Sequence, residues 1–247
     1  MGKTALFSRK QPGGVYTVVD EGMTTGDIYF VDSGSATGAD SVGAGRNPDK
    51  PFLTLDYAVG QCTASQGDVI YLMPGHADTC SSAGDITLDV AGITVIGLGN
   101  GVDQPTVTID TANTADILIN AASITVENVH FIANFLDIAA AIDVDATDFT
   151  VRGCRFKDTS TTLNAKIWIQ DGGTTTSNRI TVEDCWCDCF GTANTHFINL
   201  AGTGDGHIIR NNILLGDWAT MCIGGAGIVT LCSIIGNYIY NIVSTAD

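Results

Sequence analysis

The chain has 247 residues, a formal net charge of −16 and 45% hydrophobic residues, with 29 glycines against 5 prolines. Between Lys50 and Arg152 there are 13 Asp or Glu and no Lys or Arg, and such a surface repels nucleic acid and anionic polysaccharide. There is no apolar run of roughly 18 residues, and the first residues lack the apolar stretch of a signal peptide. We therefore expect a soluble protein that is made in the cytoplasm and has no nucleic-acid or membrane partner.

The N-terminal segment differs in composition from the rest of the chain. Residues 1–26 hold three of the eleven basic residues and the turn sequence Pro12-Gly13-Gly14, with little apolar periodicity. Segments of this kind become ordered on a partner. We predict an N-terminal arm over residues 1–26 that binds its partner through Lys3, Arg9 and Lys10, followed by one domain over residues 27–247.

Three elements are predicted after the arm. Asp27 to Asp32 alternates as a short strand, and a glycine-rich loop follows it. Apolar residues at helical spacing from Phe52 to Cys62 predict a short amphipathic helix over about residues 53–64. The segment from Gly67 to Gly75 then returns to a strand.

The second half of the chain repeats a unit of two short strands. The second strand of each unit opens with a β-branched residue at positions 25 to 31 residues apart, namely Val126, Val151, Val182, Ile209 and Ile235. An earlier copy is Ile93-Thr-Val95. Self-similarity at this period is typical of a stacked solenoid, and strand pairs joined by polar bends predict the rungs of a parallel β-helix.

Stacking the units predicts which residues become neighbours across rungs, about 4.8 Å apart. One column alternates in charge and forms an outward ladder of Glu127, Arg152, Glu183 and Arg210. The next column suits a left-handed bend and contains Asn128, Gly153, Asp184, Asn211 and Asn237. A third column is aromatic or aliphatic and contains Phe131, Phe156, Cys187, Leu214 and Tyr240.

The N-terminal third carries a family resemblance. The sequence Pro51-Phe-Leu-Thr-Leu55 and the segment from Gly67 to Gly75 resemble the entry to right-handed parallel β-helices of the pectin-lyase-like superfamily. This resemblance implies an all-β, right-handed parallel β-helix with a short N-terminal helix that caps the coil. The segments at 74–78, 91–99 and 134–141 further resemble β-helix proteins among the structural genes of tailed bacteriophages.

The catalytic motifs of that superfamily are not found in the sequence. Gly206-His207 lacks the following glycine of the Gly-His-Gly motif, and Arg210 belongs to the charge ladder. The remaining histidines are scattered, and no cofactor is predicted. From this we expect that the chain is not an enzyme.

Two further clusters have alternative interpretations. Asp143, Asp145 and Asp148 could supply oxygen ligands to calcium, or Asp143 and Asp145 could act as a glycosidase pair, although a polar strand face that ends in a turn is favoured. The eight cysteines include Cys154 and Cys185 in one column, which would permit a disulfide. Reduced thiols packed as small apolar residues are favoured over disulfides.

These observations lead to two predictions of function. The first is a phage virion structural protein, a decoration or cement protein on the capsid exterior, which binds the major capsid protein or other virion proteins through its basic arm and forms a homotrimer. The alternative is a tail spike or fibre module that binds, and could cleave, a host surface glycan. For either function, Trp168, Trp186, Tyr238 and Tyr240 are the candidate subunit interface or glycan platform.

Overall fold

The computed structural model of the chain describes residues 26–172 and 177–241. The predicted arm residues Lys3, Arg9 and Lys10 lie outside this part of the chain, so their role stays a prediction. Within it, no helix is both long enough and apolar enough to cross a membrane.

Strands numbered in chain order form three parallel sheets that wrap around one core. Sheet 1 contains β1 Ile28–Val31, β2 Val69–Leu72, β5 Thr94–Gly97, β8 Thr125–Glu127, β11 Thr150–Arg152, β14 Thr181–Glu183, β18 Ile208–Arg210 and β22 Ser233–Ile235. Sheet 2 contains β3 Ala77–Cys80, β6 Thr106–Ile109, β9 His130–Ala133, β12 Arg155–Asp158, β15 Trp186–Cys189, β19 Ile213–Gly216 and β23 Tyr238–Asn241. Sheet 3 contains β4 Ile86–Leu88, β7 Ile117–Ile119, β10 Ile142–Val144, β13 Ile167–Asp171, β16 His196–Leu200 and β20 Ile223–Gly224.

Each turn of the coil visits sheets 1, 2 and 3 in that order, so every strand pairs with its equivalents one turn before and after. A short pair, β17 Gly204–Asp205 and β21 Val229–Thr230, lies outside the three sheets. The prediction of a right-handed parallel β-helix is confirmed, and this is the fold that the resemblance to the pectin-lyase-like superfamily implied.

A short helix, α1 Leu55–Val59, packs against β1, β2 and β4. It begins after Thr54, whose side chain accepts a hydrogen bond from the Tyr57 amide, and it ends at Gly60. It occupies only the middle of the predicted 53–64 segment, because glycine is a poor helix former. The 3₁₀ turn Gly101–Asp103 is the other helical element of the described chain.

The bend between sheets 1 and 2 explains why certain residue types recur. In successive turns it holds left-handed residues at Asn128, Gly153, Asp184, Asn211 and Gly236, with φ of 53°, 61°, 55°, 56° and 69°. Asparagine, aspartate and glycine tolerate this conformation. A residue with nearly the same backbone conformation therefore turns the chain at this bend in each rung, which keeps the rungs in register.

The last predicted rung is displaced by one residue. Ile234, not Ile235, pairs with Ile209, and Ile239, not Tyr240, pairs with Leu214. The reason is that Gly236 occupies the left-handed bend where Asn237 was predicted. The Asn237 side chain instead accepts a hydrogen bond from the Asn212 amide at 3.0 Å.

The core contains a cluster of aromatic rings around Phe156. Phe156 stacks on Phe131 with ring centroids 5.2 Å apart, and it makes edge contacts with Trp168 at 5.4 Å and Phe197 at 5.1 Å. These four side chains come from sheets 2 and 3, so they join two walls of the coil. Rings at these distances stabilise the core beyond the burial of their apolar area.

The expectation of reduced thiols throughout is wrong at one pair. Cys187 and Cys189 lie at alternate positions of β15, so both side chains face the interior and can meet, and they form a disulfide. Cys154 and Cys185, the pair that the repeat had suggested, are buried and free. Burial raises the pKa of the Cys154 thiol to about 12, so this thiol is unreactive at neutral pH.

Candidate docking face and acidic groove

The outer side of sheet 2 changes character along the coil. In register from β12 onward, Arg155 neighbours Trp186, which neighbours Ile213, which neighbours Tyr238. The parallel outward column runs through Lys157, Asp188, Leu215 and Tyr240. We call the surface formed by Arg155, Lys157, Trp186, Ile213, Leu215, Tyr238 and Tyr240 the cation–aromatic face.

The aromatic part of this face is open to solvent. Trp186 is 41% exposed, Tyr238 60% and Tyr240 50%, and they share one side of one sheet. Single exposed apolar residues are ordinary, whereas a contiguous group of them marks an interaction surface.

The cationic part of the face is unusual in so acidic a chain. Across residues 26–172 and 177–241, Arg46, Arg152, Lys166, Arg179 and Arg210 each form an ion pair with a carboxylate. Arg155 and Lys157 form none, and neither does Lys50 near the start of the coil, although Asp188 is the register neighbour of Lys157. Burial, assisted by these two cations, lowers the pKa of His130 to about 4, so this histidine, the register neighbour of Arg155 on the preceding rung, is neutral at pH 7.

The predicted charge ladder is confirmed and has a structural role. Glu127, Arg152, Glu183 and Arg210 are register neighbours on the outer side of sheet 1. Arg152 pairs with Glu127 and lies 3.7 Å from Glu183, and Glu183 also pairs with Arg210 at 2.5 Å. This network occupies both arginines, so neither is available to a ligand.

A second surface feature is a groove on the outer side of sheet 3, with a volume of about 430 Å³. It is lined by Ala83, Thr114, Asp116, Ala139, Ala140, Asp143, Ile167 and Gln170, and we call it the acidic groove. Three of these lining residues are alanines with small side chains, and the carboxylates of Asp116 and Asp143 provide the charge of the groove.

The carboxylates of this groove are held in an unfavourable environment. Burial, the nearby Asp145 and Asp116 together raise the pKa of Asp143 to about 6. Burial also raises the pKa of Asp116, even though this side chain accepts a hydrogen bond from the Gly84 amide at 2.7 Å. At neutral pH Asp143 is charged in a site that disfavours the charge, so a cationic partner would stabilise it.

The proposed metal triad does not assemble. The Asp148 carboxylate accepts hydrogen bonds from Arg179 Nε at 2.6 Å and Nη2 at 2.8 Å, which leaves Asp143 and Asp145 as the pair on the strand face. No group of three His, Cys, Asp or Glu residues suited to a metal ion occurs in the described ranges.

One member of the predicted aromatic platform is misplaced. Trp168 is fully buried and packs on Phe156, whereas Trp186, Tyr238 and Tyr240 do share the outer side of sheet 2. The alternation on which the prediction depended fails in β13, where Trp168 and Ile169 are both buried and Ile167 lines the groove. The prediction of Trp168 as an exposed platform residue is therefore wrong.

Sequence reasoning did not single out Arg155 and Lys157. The signal was present in Arg155-Phe156-Lys157, because strand alternation places both cations on the side opposite the buried phenylalanine. The sequence does not show that every nearby acidic side chain is engaged elsewhere or lies out of ion-pair range of these two cations.

Comparisons with known proteins find a likeness to a solved structure and assign no family. No family model and no curated protein matches the chain. A search of solved structures finds a rhamnogalacturonan lyase with 13% sequence identity and a TM-score of 0.48, covering 83% of this chain and 73% of that one. A likeness at this identity concerns the fold alone.

This comparison corrects one expectation. The chain was predicted not to be an enzyme because it lacks known catalytic motifs, yet a solved structure of similar fold is named a lyase. The prediction does not stand, and the lyase name in turn assigns no activity to this chain.

Proposed function

We propose that this chain is a structural subunit of a tailed-bacteriophage virion that docks on neighbouring virion proteins through its cation–aromatic face. The observation that carries the proposal is the pair of exposed, unpaired cations Arg155 and Lys157 beside the exposed Trp186. Arginine and tryptophan are enriched at the energetic centres of protein interfaces. The sequence resemblance to phage structural β-helix proteins supplies the virion context.

The charge of the rest of the chain supports this orientation. With a net charge of −16, most of the surface repels other acidic proteins, and the cation–aromatic face is a local exception. A subunit of this kind meets an acidic neighbour in one orientation, because the other orientations place like charges together. That selectivity suits a decoration or cement protein on the capsid exterior.

The proposal is tested in particles. Mass spectrometry of purified virions from the source phage should find this chain at an abundance comparable to the major capsid subunit. Particles assembled with an Arg155→Glu/Lys157→Glu variant should hold at least about tenfold fewer copies. The matched control is Lys50→Glu, an exposed cation at the other end of the coil. Absence of the wild-type chain from virions would contradict the proposal.

Deletion of the N-terminal arm is a second experiment on the same proposal. Residues 1–26 hold Lys3, Arg9 and Lys10, which we propose contact the capsid shell. Deletion of this segment should abolish attachment to particles while circular dichroism still reports a folded coil. Attachment that survives the deletion would assign docking to the cation–aromatic face alone.

A second candidate is a spike or fibre module that binds and cleaves a neutral glycan in the acidic groove. It is favoured by the pKa of Asp143 near 6, since a carboxylic acid that is partly protonated near neutral pH can protonate a leaving group. Asp116 directly precedes the adjacent strand β7, two positions before the residue paired with Asp143, at a Cα separation of roughly 8 Å.

The glycan candidate predicts activity that depends on Asp143. Reducing ends should be released from a neutral bacterial surface polysaccharide near pH 6, and Asp143→Asn should lower the rate by roughly a hundredfold or more. Asp89→Asn, at an exposed position outside the groove, should retain the wild-type rate. Equal rates in the two variants would remove Asp143 from the mechanism.

A further inference from the structure

We infer that the partner of the cation–aromatic face is the acidic groove of a second copy of the same chain. This inference rests on the proposed docking role of that face and names what occupies it. The two surfaces belong to different walls of the coil, sheet 2 and sheet 3, so contact between them requires two copies.

The charges of the two surfaces are complementary at matching spacing. Arg155 and Lys157 are two residues apart on β12, which separates their Cα atoms by roughly 7 Å. Asp143 on β10 and Asp116, directly before β7, have Cα atoms separated by roughly 8 Å. Two cations can therefore lie opposite two carboxylates in a single register.

The shapes of the two surfaces are complementary as well. Trp186 stands beside Arg155 and is 41% exposed, so its ring projects from the face. Three of the residues that line the groove, Ala83, Ala139 and Ala140, have small side chains, which leave space for a large ring. An aromatic anchor in a pocket lined by small residues, flanked by charge pairs, is a common interface arrangement.

The contact also relieves an unfavourable feature of the isolated chain. The Asp143 Oδ1 atom is buried and has no hydrogen-bond partner among the described residues, and its neighbours are the carboxylates of Asp145 and Asp116. An arginine from a second copy at the mouth of the groove would place a positive charge near this carboxylate and offset the repulsion. No cation of the groove's own lining does so.

Contact between two different faces of identical chains is a head-to-tail contact. Each copy then has one face engaged and one free, so copies add until a ring closes. The predicted homotrimer is a ring of this kind, in which every groove and every cation–aromatic face is occupied.

The test uses a charge exchange between purified full-length chains. Sedimentation velocity at about 100 µM should show the wild type as an oligomer, whereas Arg155→Glu/Lys157→Glu and Asp143→Lys should each weaken self-association at least about tenfold. A mixture of the two variants should regain association, because the new glutamates meet the new lysine while the unaltered faces also meet. Lys50→Glu and Asp89→Lys are the matched controls and should leave the oligomer intact.

Folding of each variant is checked by circular dichroism and Tm. If Asp143→Lys unfolds the chain, Gln170→Lys replaces it, because Gln170 is the register neighbour of Asp143 in the same groove. A monomeric wild type, or a mixture that associates no better than its separate variants, would overturn the inference.

The result of the self-association experiment can be distinguished from the result of the virion experiment. Restored association in the mixture combined with absence from virions would refute the virion role and leave the self-contact intact. Presence in virions combined with a monomeric purified chain would refute the self-contact alone. Dissociation of the oligomer by a neutral glycan would show that sugar and second copy compete for the groove, which supports its assignment as the occupied surface.

Discussion

At the scale of single residues, the environment of Asp143 links the surface chemistry to stability. Its pKa of about 6 lies above the ordinary value near 3.9, so the folded chain holds this proton to a higher pH than the unfolded chain does. The resulting stabilisation is complete below about pH 4 and is lost as the pH rises through 6. The ionised Asp143 carboxylate in the groove therefore lowers the free energy of unfolding of the wild-type chain at neutral pH.

Asp143→Asn should remove this pH dependence. We expect the variant to be more stable than the wild type above pH 6 by roughly 1 to 2 kcal/mol, after allowance for solvent screening of a partly exposed group, and to match it near pH 4. Urea denaturation at pH 4, 5, 6 and 7, at concentrations where the chain is monomeric, measures the difference. Asp89→Asn is the control, and a gain independent of pH would contradict the assignment.

Residue types predicted the positions of the bends better than they predicted which strand side chains point outward. Asparagine, aspartate and glycine mark the left-handed bend in each rung, and four of the five predicted positions are confirmed. The fifth was misassigned because Gly236 and Asn237 both suit the conformation, and local preference does not choose between adjacent candidates. Trp168 was misplaced for a different reason, since two successive inward residues in β13 break the strand alternation.

At the scale of the strand, sheet 1 shows how charge can stabilise register without forming a binding site. Glu183 is 6% exposed at its side chain and meets arginines on both neighbouring strands, whereas Glu127 is 29% exposed and meets one. A slip of one residue would separate all of these pairs. The ladder thus favours the stacking in which the coil is observed.

Glu183→Gln should cost more stability than Glu127→Gln. Loss of the Glu183 charge leaves Arg152 and Arg210 without their shared carboxylate, at an expected cost of about 1 to 2 kcal/mol, while Glu127→Gln should cost about 0.5 kcal/mol. Denaturant titration of both variants at low and high salt measures the two values. Equal losses would mean that burial of Glu183 does not strengthen its ion pairs.

At the scale of the whole molecule, the repeat made the architecture predictable and the assembly difficult to predict. The period, the β-branched columns and the bend residues each indicate a solenoid, and agreement between them left few competing folds. The groove depends on residues from several turns, such as Ala83, Asp116, Asp143 and Gln170, whose proximity follows only from the full register. The availability of Arg155 and Lys157 likewise depends on where every acidic side chain points.

Tryptophan fluorescence can report the assembly directly, because the three tryptophans differ in exposure. Trp168 and Trp218 are buried, and Trp186 is 41% exposed on the cation–aromatic face. Iodide should therefore quench mainly Trp186, and the quenched fraction should fall with rising protein concentration as Trp186 enters the groove of a second copy. Trp186→Phe should show little quenching at any concentration. Quenching of the wild type that stays constant across the range in which the chain associates would place the contact elsewhere on the coil.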